Sequence, residues 1–102
     1  MANAVYYNSY KLVKGASVPD FLVAIDNLSA QIKENKGFIS TTLLLEEGDT
    51  WADYSVWETM DDLKAFLEAA HANTTELAEK FYSFLNFSTC KSRVYTVERV
   101  WE

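Results

Sequence analysis

Thr50–His71, TWADYSVWETMDDLKAFLEAAH, reads as a strand that closes on Trp57, a capped turn at Glu58-Thr59 and a helix that delivers the only histidine of the chain. Side chains alternate along a strand, so Trp51, Asp53, Ser55 and Trp57 share one face and Ala52, Tyr54 and Val56 the other. Both faces carry aromatics. Thr59-Met60-Asp61-Asp62 offers a hydroxyl to early backbone N–H groups and carboxylates to the positive end of the helix dipole. Leu63, Phe66, Leu67 and Ala70 then form an apolar stripe at helical spacing.

Upstream, Phe38–Glu47, FISTTLLLEE, is a second strand, and the polar Glu46–Thr50 loop is short enough to force an antiparallel hairpin. Before it, Ser17-Val18-Pro19-Asp20 starts a helix with Phe21, Ile25, Leu28 and Ile32 on one side, ending near Lys33, Lys36 and Gly37. Ala4–Lys14, AVYYNSYKLVK, is rich in Val and Tyr and favours a strand. Its faces carry Val5, Tyr7, Ser9, Lys11 and Val13 against Tyr6, Asn8, Tyr10 and Leu12. Downstream, the weak helix formers Asn73-Thr74-Thr75 predict a kink or brief break before Leu77, Phe81, Phe84 and Leu85 resume the stripe. The helix is expected to end near Asn86, and a polar segment, Ser88–Lys91, to lead into a last strand from about Ser92 to Trp101.

Strand, helix, strand, strand, helix, strand is the split β-α-β plan. It predicts a ferredoxin-like, α+β domain spanning residues 1–102, with a four-stranded antiparallel sheet and both helices on one face. The other face would meet water in a monomer, yet it too is rich in Tyr and Val. A homodimer in which two sheets face each other accounts for this, with the last strand and Trp101 reaching toward the partner.

Composition narrows the function classes. Of 102 residues 49% are hydrophobic and 15% aromatic, enough for one core without disulfide or metal. A net charge of −6 with no Lys/Arg cluster argues against nucleic acid and anionic membranes as partners. Cys90 stands alone and Met1–Tyr7, MANAVYY, has no signal-peptide pattern, so the cytoplasm is the expected location. No apolar run is long enough to span a bilayer. With only Gly15, Gly37 and Gly48, a glycine-rich phosphate loop is absent, and no cofactor is expected through that device; a flavin held in another manner stays open.

Val56-Trp57-Glu58-Thr59, then Leu63-Lys64-Ala65-Phe66 and His71, with Gly37-Phe38 opening the second strand, resemble the dimeric α/β-barrel superfamily and, within it, the antibiotic-biosynthesis-monooxygenase-like proteins. The likeness spans nearly the whole chain. It implies a homodimeric barrel. Among members are cofactor-independent oxygenases acting on polycyclic phenols and quinone precursors, heme-degrading monooxygenases and isomerases. The heme-degrading branch uses a first-strand asparagine, which Asn8 matches, a helix tryptophan, where this chain has Phe66, and a histidine ligand about a turn beyond His71. Heme degradation is therefore the disfavoured alternative.

The resulting expectation is a monooxygenase-like protein acting on or binding a small aromatic or quinone-type molecule. Asn8, a carboxamide amid tyrosines, would orient the substrate, because left unpaired in a buried site it would cost about 1–3 kcal/mol. His71 would serve as base or polar contact, and as a lone histidine it cannot build a typical metal site. Tyr6, Tyr10, Trp57 and Phe66 would wall the pocket. Cys90 has Lys91 beside it, which favours the thiolate slightly, without a helix N-terminus or a resolving cysteine. The competing reading is a non-catalytic ligand-binding or stress-associated dimer in which the same aromatics are core. What separates the two is whether Asn8 and His71 open onto one cavity.

Overall fold

A computed structural model describes residues 3–102; Met1 and Ala2, the start of the segment read above for a signal peptide, lie outside the described residues. The elements follow the order β1 (Ala4–Leu12), α1 (Val18–Ile32), β2 (Phe38–Leu45), β3 (Thr50–Trp57), α2 (Met60–Ala72), α3 (Glu76–Tyr82) and β4 (Leu85–Thr96). The four strands form one antiparallel sheet in the order β2-β3-β1-β4, the ferredoxin-like arrangement with the first and third strands at its centre. No helix among the described residues is long and apolar enough to cross a membrane.

Local chemistry sets the helix ends. Ser17 Oγ accepts from the Asp20 N–H at 3.3 Å, Thr59 Oγ1 from the Asp62 N–H at 3.0 Å and Thr75 Oγ1 from the Ala78 N–H at 3.2 Å. Each satisfies a donor that the first helical turn leaves free. The expected break at Asn73–Thr75 is real, and it divides the second helical region into α2 and α3. Gly37 adopts φ +83° on the way into β2, and a Cβ there would run into Asp62. That clearance lets the α2 start pack against the β2 entry.

Three expectations at the C-terminal end are corrected. The helix stops at Tyr82 rather than Asn86, because Leu85 already pairs with Leu12 of β1. The polar segment before the last strand is instead a wide bulge inside β4. Asn86 faces Lys11 and Lys91 faces Ser9, so Phe87 to Cys90 all stand opposite Tyr10. Asn86 Oδ1 holds the bulge by accepting from the Ser88 N–H at 3.2 Å and the Ser88 hydroxyl at 2.7 Å. Pairing also ends earlier than expected. β4 closes at Thr96, and Trp101, 84% exposed, lies beyond it without regular structure.

The side chains of β1 with even numbers and of β3 with odd numbers face the helices, and they build the core in two pieces. One gathers Tyr10, Phe21, Phe81 and Leu85, with Trp51 and Phe84 against it. The other gathers Ala4, Trp57 and Leu63, with Tyr6, Phe38 and Phe66 against it. On β1 the residue between the two pieces is Asn8; on β3 the residues between are Asp53 and Ser55. The centre of the helix-covered face is therefore polar.

Candidate active site

Register builds this polar centre. Asn8 of β1 lies directly opposite Asp53 of β3 on one side and Ser92 of β4 on the other. The three side chains project from the same face and join in a row. The Ser92 hydroxyl donates to Asn8 Oδ1 at 2.5 Å, and Asn8 Nδ2 donates to Asp53 Oδ1 at 3.2 Å. From the next helix-facing position on β1, the Tyr10 hydroxyl donates to Asp53 Oδ2 at 2.7 Å. Both carboxylate oxygens are thus held by donors, and each keeps acceptor capacity to spare.

Above this row, between sheet and helices, is a cavity of about 320 Å³. Asn8 and His71 both line it. His71 reaches it from the last turn of α2 and is exposed, so it stands at the rim, while Asn8 is half-buried at the floor. Tyr6, Tyr10 and Phe66 are also in the lining, although Tyr10, 2% exposed, presents little more than its edge. Its ring is fixed by edge contacts to Phe21 and Phe81 at centroid separations of 6.2 and 5.8 Å.

Trp57, expected as a wall, does not line the cavity. It is fully buried, stacks on Phe66 at 4.9 Å and donates from Nε1 to Ser55 Oγ at 2.9 Å. The indole backs the phenyl ring that does face the cavity, because position 57 on β3 lies under the start of α2. Cys90 enters the lining through the β4 bulge. The thiolate bias expected from Lys91 is overturned: burial pushes the Cys90 thiol up.

Asp53 is the residue that sequence reasoning left without a role. It is the one carboxylate among the described residues lining the cavity, and it sits between the two apolar halves of the core. Burial pushes its carboxyl above the usual carboxylate range, while the hydrogen bonds from Tyr10 and Asn8 pull the other way. Tyr10 in turn is driven well above the ordinary phenol range, by burial first and then by the neighbouring Asp53 charge and hydrogen bond. The phenol therefore stays a donor. The available signal was an acid in mid-strand between Trp51 and Ser55 on its own face; its partners emerge only with the register. Among the described residues no group of three or more His, Cys, Asp or Glu side chains is arranged to hold a metal ion.

A family model described as antibiotic biosynthesis monooxygenase matches residues 5–76. Among solved structures the chain is similar to SnoaB, a cofactor-independent oxygenase from Streptomyces nogalater, with 15% identity over 98% of this chain and 97% of that one and a TM-score of 0.74. A monooxygenase from the gene ActVA-Orf6 of Streptomyces coelicolor, solved in complex with the ligand nanaomycin D, is 17% identical over 99% of this chain and 92% of that one, TM-score 0.70. A dimeric ferredoxin-like protein from an uncultured marine organism is 11% identical over 100% and 93%, TM-score 0.73. At such identities these likenesses establish the fold. No curated protein matches the chain.

Proposed function

Because the chain belongs to the antibiotic biosynthesis monooxygenase family, as the match over residues 5–76 shows, we propose that it is a cofactor-independent monooxygenase that oxygenates a small, flat, hydroxylated polycycle of the phenol or quinone-precursor type. The observation that carries this reading is that Asn8 and His71 open onto one cavity with aromatic walls. Its volume of about 320 Å³ falls at the lower end of the ~300–1,000 Å³ typical of small-molecule sites. Tyr6 and Phe66 offer faces for a flat ring, and one N–H of the Asn8 amide, left over from its bond to Asp53, is available to a ligand oxygen. His71 at the rim is a base or polar contact. SnoaB and the ActVA-Orf6 protein, described as oxygenases, support the same reaction class.

The working unit in this reading is a homodimer. The sheet face away from the helices presents Val5, Tyr7, Tyr54, Leu44 and Tyr95, of which Leu44 and Tyr95 are exposed, and a second sheet would cover them. The dimeric marine protein of the same fold supports this. A single cysteine suits a cytoplasmic protein.

The test is oxygen uptake by the purified, metal-stripped protein with anthrone, naphthols and hydroxynaphthoquinones, alongside a spectral titration with heme. Oxygen consumption with quinone formation is expected. Binding of these compounds without turnover would favour the non-catalytic ligand-binding dimer, and a Soret shift would revive the heme alternative.

A further inference from the structure

We propose that Asp53 is the general base of this site, taking the ionisable proton of the substrate while Asn8 and Tyr10 hold its carboxylate toward the cavity. The inference rests on the oxygenase reading and deepens it.

Three features of the geometry carry it. Asp53 is the one carboxylate among the described cavity residues and lies at the floor, between the two apolar pieces of the core, where a bound ring system would be stripped of water. A base in such a place acts on a desolvated substrate, and its charge is felt more strongly than in water. Second, its orientation is fixed from two sides, by Asn8 Nδ2 at 3.2 Å and by the Tyr10 hydroxyl at 2.7 Å, so acceptor capacity remains for a substrate proton. Third, the holders are themselves held. Ser92 donates to Asn8 Oδ1, and Tyr10 is pinned between Phe21 and Phe81. His71 has no comparable support: it is exposed, and no hydrogen bond among the described residues orients its ring. The burial that raises the Asp53 carboxyl also makes it a stronger proton acceptor once ionised.

For anthrone the step balances as follows. A methylene C–H bond breaks, the proton passes to Asp53, and the electron pair is delocalised onto the carbonyl oxygen as an enolate. The enolate gives its electrons to dioxygen, the oxidant, and a C–O bond forms. The proton on Asp53 returns to the resulting peroxide. Removal of the second methylene proton then forms the carbonyl as the O–O bond breaks and water leaves, so anthrone and dioxygen yield anthraquinone and water. Asp53 ends as it began.

The titratable groups that share the cavity with Asp53 are Tyr6 and Tyr10 from β1, His71 from α2, Tyr82 from α3, and Cys90 and Lys91 from β4. An activity limb set by Asp53 ionisation rises with pH and lies above the usual carboxylate range.

The experiment mixes anthrone with the protein without oxygen and records the long-wavelength enolate band, then measures oxygen uptake against pH. Wild type is expected to develop the band; Asp53→Asn is expected to lose it and to lower kcat by about 10²–10⁴-fold with little change in KM, and to abolish the acid limb. Tyr10→Phe keeps the ring and the carboxylate but removes one donor to Asp53, so the limb should move to higher pH, which a purely structural aspartate would not produce. This second variant decides the matter if Asp53→Asn does not fold. An enolate that forms equally well in Asp53→Asn, or in neither protein, overturns the base, as does an unmoved limb in Tyr10→Phe. An enolate that depends on Asp53 but never consumes oxygen keeps the base and sinks the oxygenase reading.

Discussion

The Tyr10 hydroxyl meets Asp53 Oδ2 at 2.7 Å diagonally across the β1–β3 pair, joining a residue of the apolar core to the carboxylate at the cavity floor. Tyr10 is opposite Trp51 and Asp53 opposite Asn8, so the contact needs both the pairing and the reach of an aromatic side chain.

This contact bears on how stability depends on pH. Burial raises the folded-state pKa of Asp53, so the stability that the group contributes is fully present below its unfolded pKa and is lost as pH rises through the folded one. Asp53→Asn removes the titration. Its melting temperature relative to wild type should therefore become more favourable as pH rises through and above the usual carboxylate range. Paired thermal melts across that range check the sign.

Gly37 and Gly15 give a controlled comparison. Both have positive φ, +83° and +81°, but an added Cβ meets Asp62 at Gly37 and nothing at Gly15. Gly15→Ala should cost about 1–2 kcal/mol, the strain of the left-handed conformation alone. Gly37→Ala should cost clearly more, since Asp62 lies in the first turn of α2 and must shift. Urea denaturation of the two variants reads the difference.

Trp57 acts on the site through Phe66. Trp57→Ala empties a fully buried position and should cost about 3–5 kcal/mol. Trp57→Phe fills most of the volume but removes the Nε1 bond to Ser55, which then lacks its donor. We expect a loss of about 1–3 kcal/mol together with weaker binding of flat ligands, because the ring stacked behind Phe66 is smaller. Chemical denaturation and ligand titration separate the two effects.

Thr75 tests the helix break. Its hydroxyl accepts from the Ala78 N–H at 3.2 Å and donates to Gln31 Oε1 at 2.9 Å, tying the α3 start to α1. Thr75→Ala should cost about 1–2 kcal/mol. Hydrogen exchange should rise first in α3, which carries Phe81 and Tyr82.

What could be read from the chain follows the range of the forces involved. The Thr50–His71 segment declared itself because alternation, the Thr59 cap and the Leu63–Ala70 stripe are all local, and the order of elements then determined the sheet. The start of β4 was hidden because Phe84 and Leu85 continue the helical spacing of Leu77 and Phe81, while Leu85 is claimed by pairing with Leu12. The bulge at Phe87–Cys90 depends on Asn86 bonding its own neighbours, a turn chemistry that a polar segment did not distinguish from a connection. Asn8 and His71 stood out by residue type. Asp53 did not, since its meaning lies in facing Asn8 and being reached by Tyr10, and register is a long-range property. Trp57 was conspicuous by size, and its size is what buries it.

The central requirement is that a flat ligand enters the cavity between sheet and helices. The most direct measurement is a proton–nitrogen NMR titration of the labelled protein with a hydroxynaphthoquinone, following the side-chain amide of Asn8 and the ring of His71. Both should shift together with one saturating curve, along with the backbone amides of Phe66 and Asp53. Shifts confined to Tyr7, Tyr54 and Tyr95 on the opposite face, with Asn8 and His71 unmoved at saturation, would contradict it.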